Sequence, residues 1–198
     1  MINPSVSFIL ASASARRAEL LTAAGFLFEI VPPDIDETPL TGELPKTYAL
    51  RVARAKAEDV SRRLSADRII LAADTVVVAG ARLMGKPVDA KDAESMLNAL
   101  SGAAHQVHTA VVVRSPAGQA EEVVTTEVRF NRLSDAEIAW YLSTGEFEGK
   151  AGGYGIQGRA ARFIDGIDGC WSNVVGLPIA TVYRLLSGAG GLGSGRES

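Results

Sequence analysis

Residues 8–31 read FILASASARRAELLTAAGFLFEIV. A short apolar run gives way to small hydroxyl residues, then to Arg16 and Arg17, then to a leucine-bearing stretch that stops at Gly25. The pattern predicts a first strand over SFILA and a helix from about Ala15 to Ala24 closed by Gly25. A second strand follows over FLFEIV, ended by Pro32 and Pro33. Two arginines at a helix start oppose the helix dipole, at a cost of a few tenths to about 1 kcal/mol. Tolerated surface arginines would explain the pair. So would an anion such as a phosphate seated at that helix start.

Beyond this unit an acidic loop, PPDIDETPLTGELP, leads into a long helix from about Lys46 to Leu64. There Leu50, Ala53, Ala57, Val60 and Leu64 keep the spacing of a buried stripe. RIILAADTVVVAG reads as buried strand on both sides of Asp74, and DAKDAESMLNAL as an amphipathic helix. HQVHTAVVVRS and AEEVVTTEVRF flank the turn PAGQ and predict an antiparallel hairpin. LSDAEIAWYLS is a helix with a capping box from Ser134 to Glu137. ARFIDGIDG reads as a hairpin-like segment, and a last helix begins near Pro178. The end of the chain, SGAGGLGSGRES, is expected to be a flexible tail. The expected fold class is mixed α/β (α+β): a central sheet with helices packed around it.

The chain has 198 residues, enough for one domain with a substantial core or for two small lobes. Its formal charge of −3 argues against a broad nucleic-acid-binding surface, so any phosphate-binding basic cluster has to be local. Cys170 is the only cysteine, which rules out an intrachain disulfide and suits a reducing compartment; beside Trp171 it reads as a packing residue. FILA followed by ASA imitates a signal peptide but lacks a basic leader and a long enough apolar core. No stretch is long enough to cross a bilayer, and the expected location is the cytoplasm.

Four features share one chemical theme. In SASARR, Ser12 and Ser14 offer hydroxyls, while Arg16 and Arg17 offer forked donors for phosphate oxygens. In DIDE, Asp36 and Glu37 form either a solvated acidic loop or carboxylates for a hard divalent cation that also takes substrate phosphates. Asp74 lies within apolar strand sequence, where a carboxylate needs a partner or a task. Lys86 sits in the turn MGKP, and Lys56 falls roughly 70° from the centre of its helix's apolar stripe, at the margin of core and solvent. GYGIQG fits G-x-G-x-x-G but opens onto RAARFID rather than a helix, so it fails as a dinucleotide fingerprint. His105 and His108, three apart in a strand, point to opposite faces and do not share a metal.

Taken in order, LASASARRAELL, DIDE, YALRVARAKA, AADTVV, GKP, KAGGYGIQG and VVGLP closely resemble the Maf proteins. The resemblance spans nearly all of residues 8–187 and implies an inosine-triphosphatase-like fold of two lobes around an elongated mixed sheet, with the site in a cleft. On this basis residues 1–187 form one domain and 188–198 a tail. It also implies a nucleoside triphosphate pyrophosphatase that uses a divalent cation, Mg²⁺ or Mn²⁺, to cut between the α and β phosphates. Ser12, Arg16 and Arg17 then bind substrate, Asp74 is the proton acceptor, Lys56 and Lys86 assist, and Glu37 with Asp74 holds metal. Arg16, Thr75 and Gln157 match the positions of substrate choice in the branch acting on dTTP and UTP. The Gln157 amide offers an acceptor and a donor that complement N3–H and O4 of thymine or uracil. Ala15 departs from the family's usual proline, which mainly pre-sets backbone. The resemblance leaves a homodimer open as an assembly, and it carries a second reading as a nucleotide-sensing regulator of septum formation.

Overall fold

The opening pattern forms as its residues predict: strand β1 (Phe8–Ala11), helix α1 (Ala15–Ala23) and strand β2 (Phe28–Ile30). These belong to a computed structural model that describes residues 8–64 and 67–190. All four residues of β1 are buried, as an unbroken apolar strand requires when neighbours lie on both sides. β2 runs parallel to β1 on one side, and β3 (Ile70–Ala79) runs parallel to it on the other, with Leu10 opposite Leu71. Helix α2 (Pro45–Arg63) connects them; Pro45 at its first position has no N–H that the helix would miss.

The later elements are β4 (Arg82–Met84), α3 (Ala90–Leu100), β5 (Ala104–Ser115), β6 (Gly118–Phe130) and α4 (Asp135–Ser143). They are followed by β7 (Ile164–Asp168), α5 (Trp171–Val175) and α6 (Ile179–Gly188). The sheet order among the described residues is β2-β1-β3-β5-β6-β7, with β4 antiparallel to β3 off that path. The class is therefore the expected mixed α/β. α4 begins with the expected capping box: the Ser134 hydroxyl accepts from the Glu137 N–H, and the Glu137 carboxylate accepts from the Ser134 N–H.

The chain makes two compact units, one from residues 1–74, 109–124 and 176–198 and the other from 75–108 and 125–175. In the first unit, Leu21, Val52, Ala53, Ala57, Leu71 and Leu186 are fully buried. In the second, Val77, Leu97, Leu100, Phe130, Tyr141 and Phe163 belong to one hydrophobic cluster.

Three expectations need correction. The buried face of α2 consists of Tyr48, Ala49, Val52, Ala53, Lys56, Ala57 and Val60, while Leu50 and Leu64 are only half-buried. Lys56 therefore lies in the buried face and not at its margin. ARFIDGIDG is not a hairpin: a 3-10 turn (Arg159–Phe163) leads into the single strand β7, which pairs antiparallel with β6. The tail was expected from residue 188, but Gly188 still belongs to α6, and residues 191–198 lie outside the described residues. No helix among the described residues is long and apolar enough to cross a membrane.

Candidate active site

Among the described residues of the first unit, the buried charged side chains are Arg17, Lys56 and Asp74, and they interact with one another. The Lys56 ammonium lies 2.8 Å from Asp74 Oδ1 and 2.8 Å from Glu37 Oε1. Lys56 and Asp74 are 5% and 6% exposed, so neither ion has enough water to keep it charged cheaply, and each supplies the other's counter-charge. Their placement is local in origin. Tyr48, Val52 and Lys56 are spaced four apart on α2 and so share a face, and Asp74 is carried there by β3.

The loop that presents Glu37 is tied down at several points. Tyr48 donates its hydroxyl to the Glu37 carbonyl at 2.8 Å. The Asp34 N–H donates to Asp59 Oδ2 on α2 at 3.0 Å, and the Thr38 N–H donates to Asp36 Oδ1 at 2.8 Å. The hydrogen bonds from Thr38 hold the Asp36 carboxyl below its usual range. Burial first, and then the nearby carboxylates of Asp74 and Glu37, push Tyr48 up to about 12, so it stays a hydroxyl donor.

Arg17 is buried and its fork is occupied by protein: Nε donates to the Gly176 carbonyl at 2.9 Å and Nη1 to Ser12 Oγ at 3.3 Å. Ser12 Oγ also accepts from the Ser14 N–H at 3.1 Å, which shapes the turn into α1. Burial lowers the Arg17 pKa, and the charges of Asp74 and Glu37 work against that shift. Arg16, its neighbour, is half-buried; desolvation lowers its pKa and Glu19 opposes the change.

Of the candidate residues, Ser12, Arg16, Arg17, Glu37, Lys56 and Asp74 fall in the first unit, and Thr75, Lys86 and Gln157 in the second. Thr75 is half-buried on β3, while Lys86 and Gln157 are exposed. Within the second unit the turn bearing Lys86 meets the glycine-rich segment, because the Gly152 N–H donates to the Gly85 carbonyl at 3.0 Å. Gly152 has φ 71°, and a Cβ there would press on Val77 at 3.1 Å, so only glycine fits both the conformation and the space.

Two carboxylates on one ammonium also bear on metal. Among the described residues no group of three or more His, Cys, Asp or Glu is arranged to hold an ion. Glu37 and Asp74, which the Lys56 ammonium bridges, are carboxylates that could contribute oxygens to a hard cation if phosphate oxygens and water completed its shell. The histidines are separate: His105 Nε2 is 2.7 Å from the Tyr154 hydroxyl, and His108 Nδ1 is 2.9 Å from Thr125 Oγ1. Cys170 is half-buried, with Sγ 3.2 Å from Ser172 Oγ.

Tyr48 and Gly176 join the site without standing out in the sequence, although both lie in stretches that carry the resemblance. A tyrosine eight residues before Lys56, on the same helical face, was the available signal for the first. Nothing local marks a glycine carbonyl as an arginine's acceptor.

Residues 7–189 match the family described as Maf-like protein. A "dTTP/UTP pyrophosphatase" of Anaeromyxobacter dehalogenans is 52% identical over 186 residues, covering 92% of this chain and 93% of the relative. One of the same description from Geotalea uraniireducens is 48% identical over 194 residues, covering 97% and 100%. Among solved structures, a "Nucleoside-triphosphatase / dITP/XTP pyrophosphatase" of Mycobacterium abscessus has a TM-score of 0.41 and 17% identity, over 92% and 93% of the two chains.

Proposed function

Because the chain belongs to the Maf-like protein family, we propose that it hydrolyses dTTP and UTP between the α and β phosphates, releasing the monophosphate and pyrophosphate. The observation that carries the reading is the buried Lys56–Asp74 ion pair joined by the half-buried Glu37. A nucleotide pyrophosphatase needs an acceptor for a water proton, positive charge for a leaving pyrophosphate, and oxygens for a cation. Those three needs are met by one carboxylate, one lysine and a second carboxylate.

Lys56 occupies Asp74 Oδ1, which leaves Oδ2 as the oxygen to take the proton of the attacking water. The water oxygen bonds to the α-phosphorus as the bond to the bridging oxygen breaks, and the electron pair leaves on pyrophosphate. Lys56, Lys86 and Arg16 offset the charge that grows on that leaving group. Ser12 hydrogen-bonds a phosphate oxygen, and Thr75 and Gln157 read the base. Glu37, with Asp74, would hold a divalent cation, which when bound would supply Lewis acidity to the phosphate.

The direct test is to run dTTP hydrolysis in H₂¹⁸O and identify the products. Pyrophosphate plus ¹⁸O-labelled monophosphate is expected; orthophosphate as the first product overturns the reading. Asp74→Asn, shown to be folded by circular dichroism, should lose at least about 100-fold in kcat. A rate within a few-fold of wild type removes Asp74 from the chemistry. Chelation with EDTA should stop turnover, and Mg²⁺ or Mn²⁺ should restore it.

A further inference from the structure

The base-reading role given to Gln157 demands that an exposed amide be held in one orientation, and Gln157 stands in a segment rich in glycine. Gly155 to Gly158 form a turn closed by the Gly158 N–H donating to the Gly155 carbonyl at 3.1 Å, and Gln157 occupies its third position. Such a turn has little side-chain packing of its own, so its stiffness has to come from outside.

Glu146 supplies it. Its Oε2 accepts from the Arg159 N–H at 2.8 Å, and its Oε1 accepts from Arg159 Nη1 at 3.0 Å, so one carboxylate grips backbone and side chain of the residue that follows the turn. The same carboxylate lies so close to Gly158 that a Cβ on that residue would collide with Oε2. Lys150 closes the other side: its ammonium donates to the Glu146 carbonyl, and a Cβ on Gly155 would lie 2.9 Å from Lys150 Cδ and Cε. Glu146 is in turn anchored to the end of α4, where its N–H donates to Thr144 Oγ1 at 3.2 Å.

We propose that Glu146 is a positioning residue for nucleotide selection: through Arg159 and Gly158 it holds the Gly155–Gly158 turn, and with it the orientation of the Gln157 amide. The proposal rests on the reading of Gln157 as the group that recognises the base. Glu146 itself touches no substrate. It acts by narrowing the set of orientations open to the amide, which a glycine-rich turn otherwise leaves wide.

The test is a double-mutant cycle on selectivity. Specificity constants for dTTP, UTP, CTP and GTP are measured for wild type, Glu146→Ala, Gln157→Leu and the double variant. Glu146→Ala should raise KM for dTTP and UTP about tenfold with kcat nearly unchanged, and should leave CTP and GTP as they were. Glu146→Gln, which keeps an oxygen acceptor for the Arg159 N–H, should recover part of the loss. In the Gln157→Leu background the same Glu146→Ala change should shift the four-nucleotide ratios by less than about twofold.

If Glu146→Ala slows all four nucleotides by one factor, or lowers selectivity equally in both backgrounds, the residue is merely structural and the proposal fails. If Gln157→Leu alone leaves the ratios unchanged, the base-reading role of Gln157 fails first, which separates the two ideas. Gly158→Ala guards against poor folding of the Glu146 variants. It keeps Glu146 but forces the carboxylate away from the turn, and should reproduce the loss of dTTP and UTP selectivity.

Discussion

Two polar clusters, each with buried members, solve the same physical problem in opposite ways. In the first unit Lys56 sits between Asp74 and Glu37, with Arg17 close by, and the groups are accommodated as ions through pairing. In the second unit His105 lies against Phe130 and Tyr154, with ring centroids 5.1 and 5.4 Å away, and burial pulls its pKa down to about 4. Burial pushes the hydroxyls of Tyr141 and Tyr154 up, so that cluster stays neutral. A fold needing only shape is served by neutral hydrogen bonds, which avoid the cost of burying an ion. Keeping charges where water is scarce is destabilising unless each has a partner, and it makes sense where charge is to be used on a ligand.

The largest effect expected from this contrast is on the paired ions. Lys56→Met leaves Asp74 buried without its ammonium, a change that typically costs about 3–5 kcal/mol. Glu37 is 39% exposed and can turn to water, so the low end applies. For a chain of this length about 3 kcal/mol lowers Tm by on the order of 6–12 °C. The double variant Lys56→Met/Asp74→Asn should regain part of that loss in a thermal melt. A Lys56→Met protein that melts with wild type would show that the cluster is solvated and that the contrast is false.

The neutral cluster is tested by acid. His105 titrates at about 4 in the folded chain against an ordinary value of 6.5. The folded state therefore binds fewer protons than the unfolded one in that window. Stability from this group is complete above about pH 6.5 and is lost as pH falls towards 4, by about 3 kcal/mol in total. Urea unfolding of wild type and His105→Asn across pH 4–7 should show the slope in wild type and a flatter curve in the variant. Equal slopes would place the acid sensitivity elsewhere.

How far these clusters could be read beforehand differs just as sharply. Asp74 announced itself, since a carboxylate inside IILAADTVVVA has no ordinary surface role. The strands and helices were also legible, because FILA is uniformly apolar and Ser134 stands three residues before Glu137. Lys56 falls at the margin of the sequence stripe because Leu50 and Leu64 pull that stripe around. The true face is lined by the small Ala49, Ala53 and Ala57, which allow close packing but weigh little in a hydrophobic pattern. β7 looks like half of its own hairpin in sequence because its real partner, β6, lies more than thirty residues earlier in the chain. Glu146 could not be found at all. TGEFEGK is an ordinary surface sequence, and only the folded turn brings Arg159 to that carboxylate.

The smallest effect sharpens the contrast within a single pair. Arg16 and Arg17 are adjacent at the start of α1 and look equivalent in sequence, yet Arg17 is buried against Gly176 and Ser12 while Arg16 is half-buried. If the charged cluster uses pairing to hold some groups and present others, the two arginines should divide those tasks. Arg17→Ala removes a charged donor from the Gly176 carbonyl and from Ser12, and losing such bonds costs roughly 1.5–3 kcal/mol. That loss should appear in urea unfolding before any substrate is added. Arg17→Lys should not rescue it, because one ammonium cannot reproduce a fork that reaches a carbonyl and a hydroxyl together. Arg16→Ala should unfold at nearly the wild-type urea concentration while its KM for dTTP rises. Matching profiles for the two alanine variants, whether both in stability or both in KM, would mean that burial does not separate their roles. The helix start would then be a single binding surface in which Arg17 gives up its protein partners when phosphate arrives.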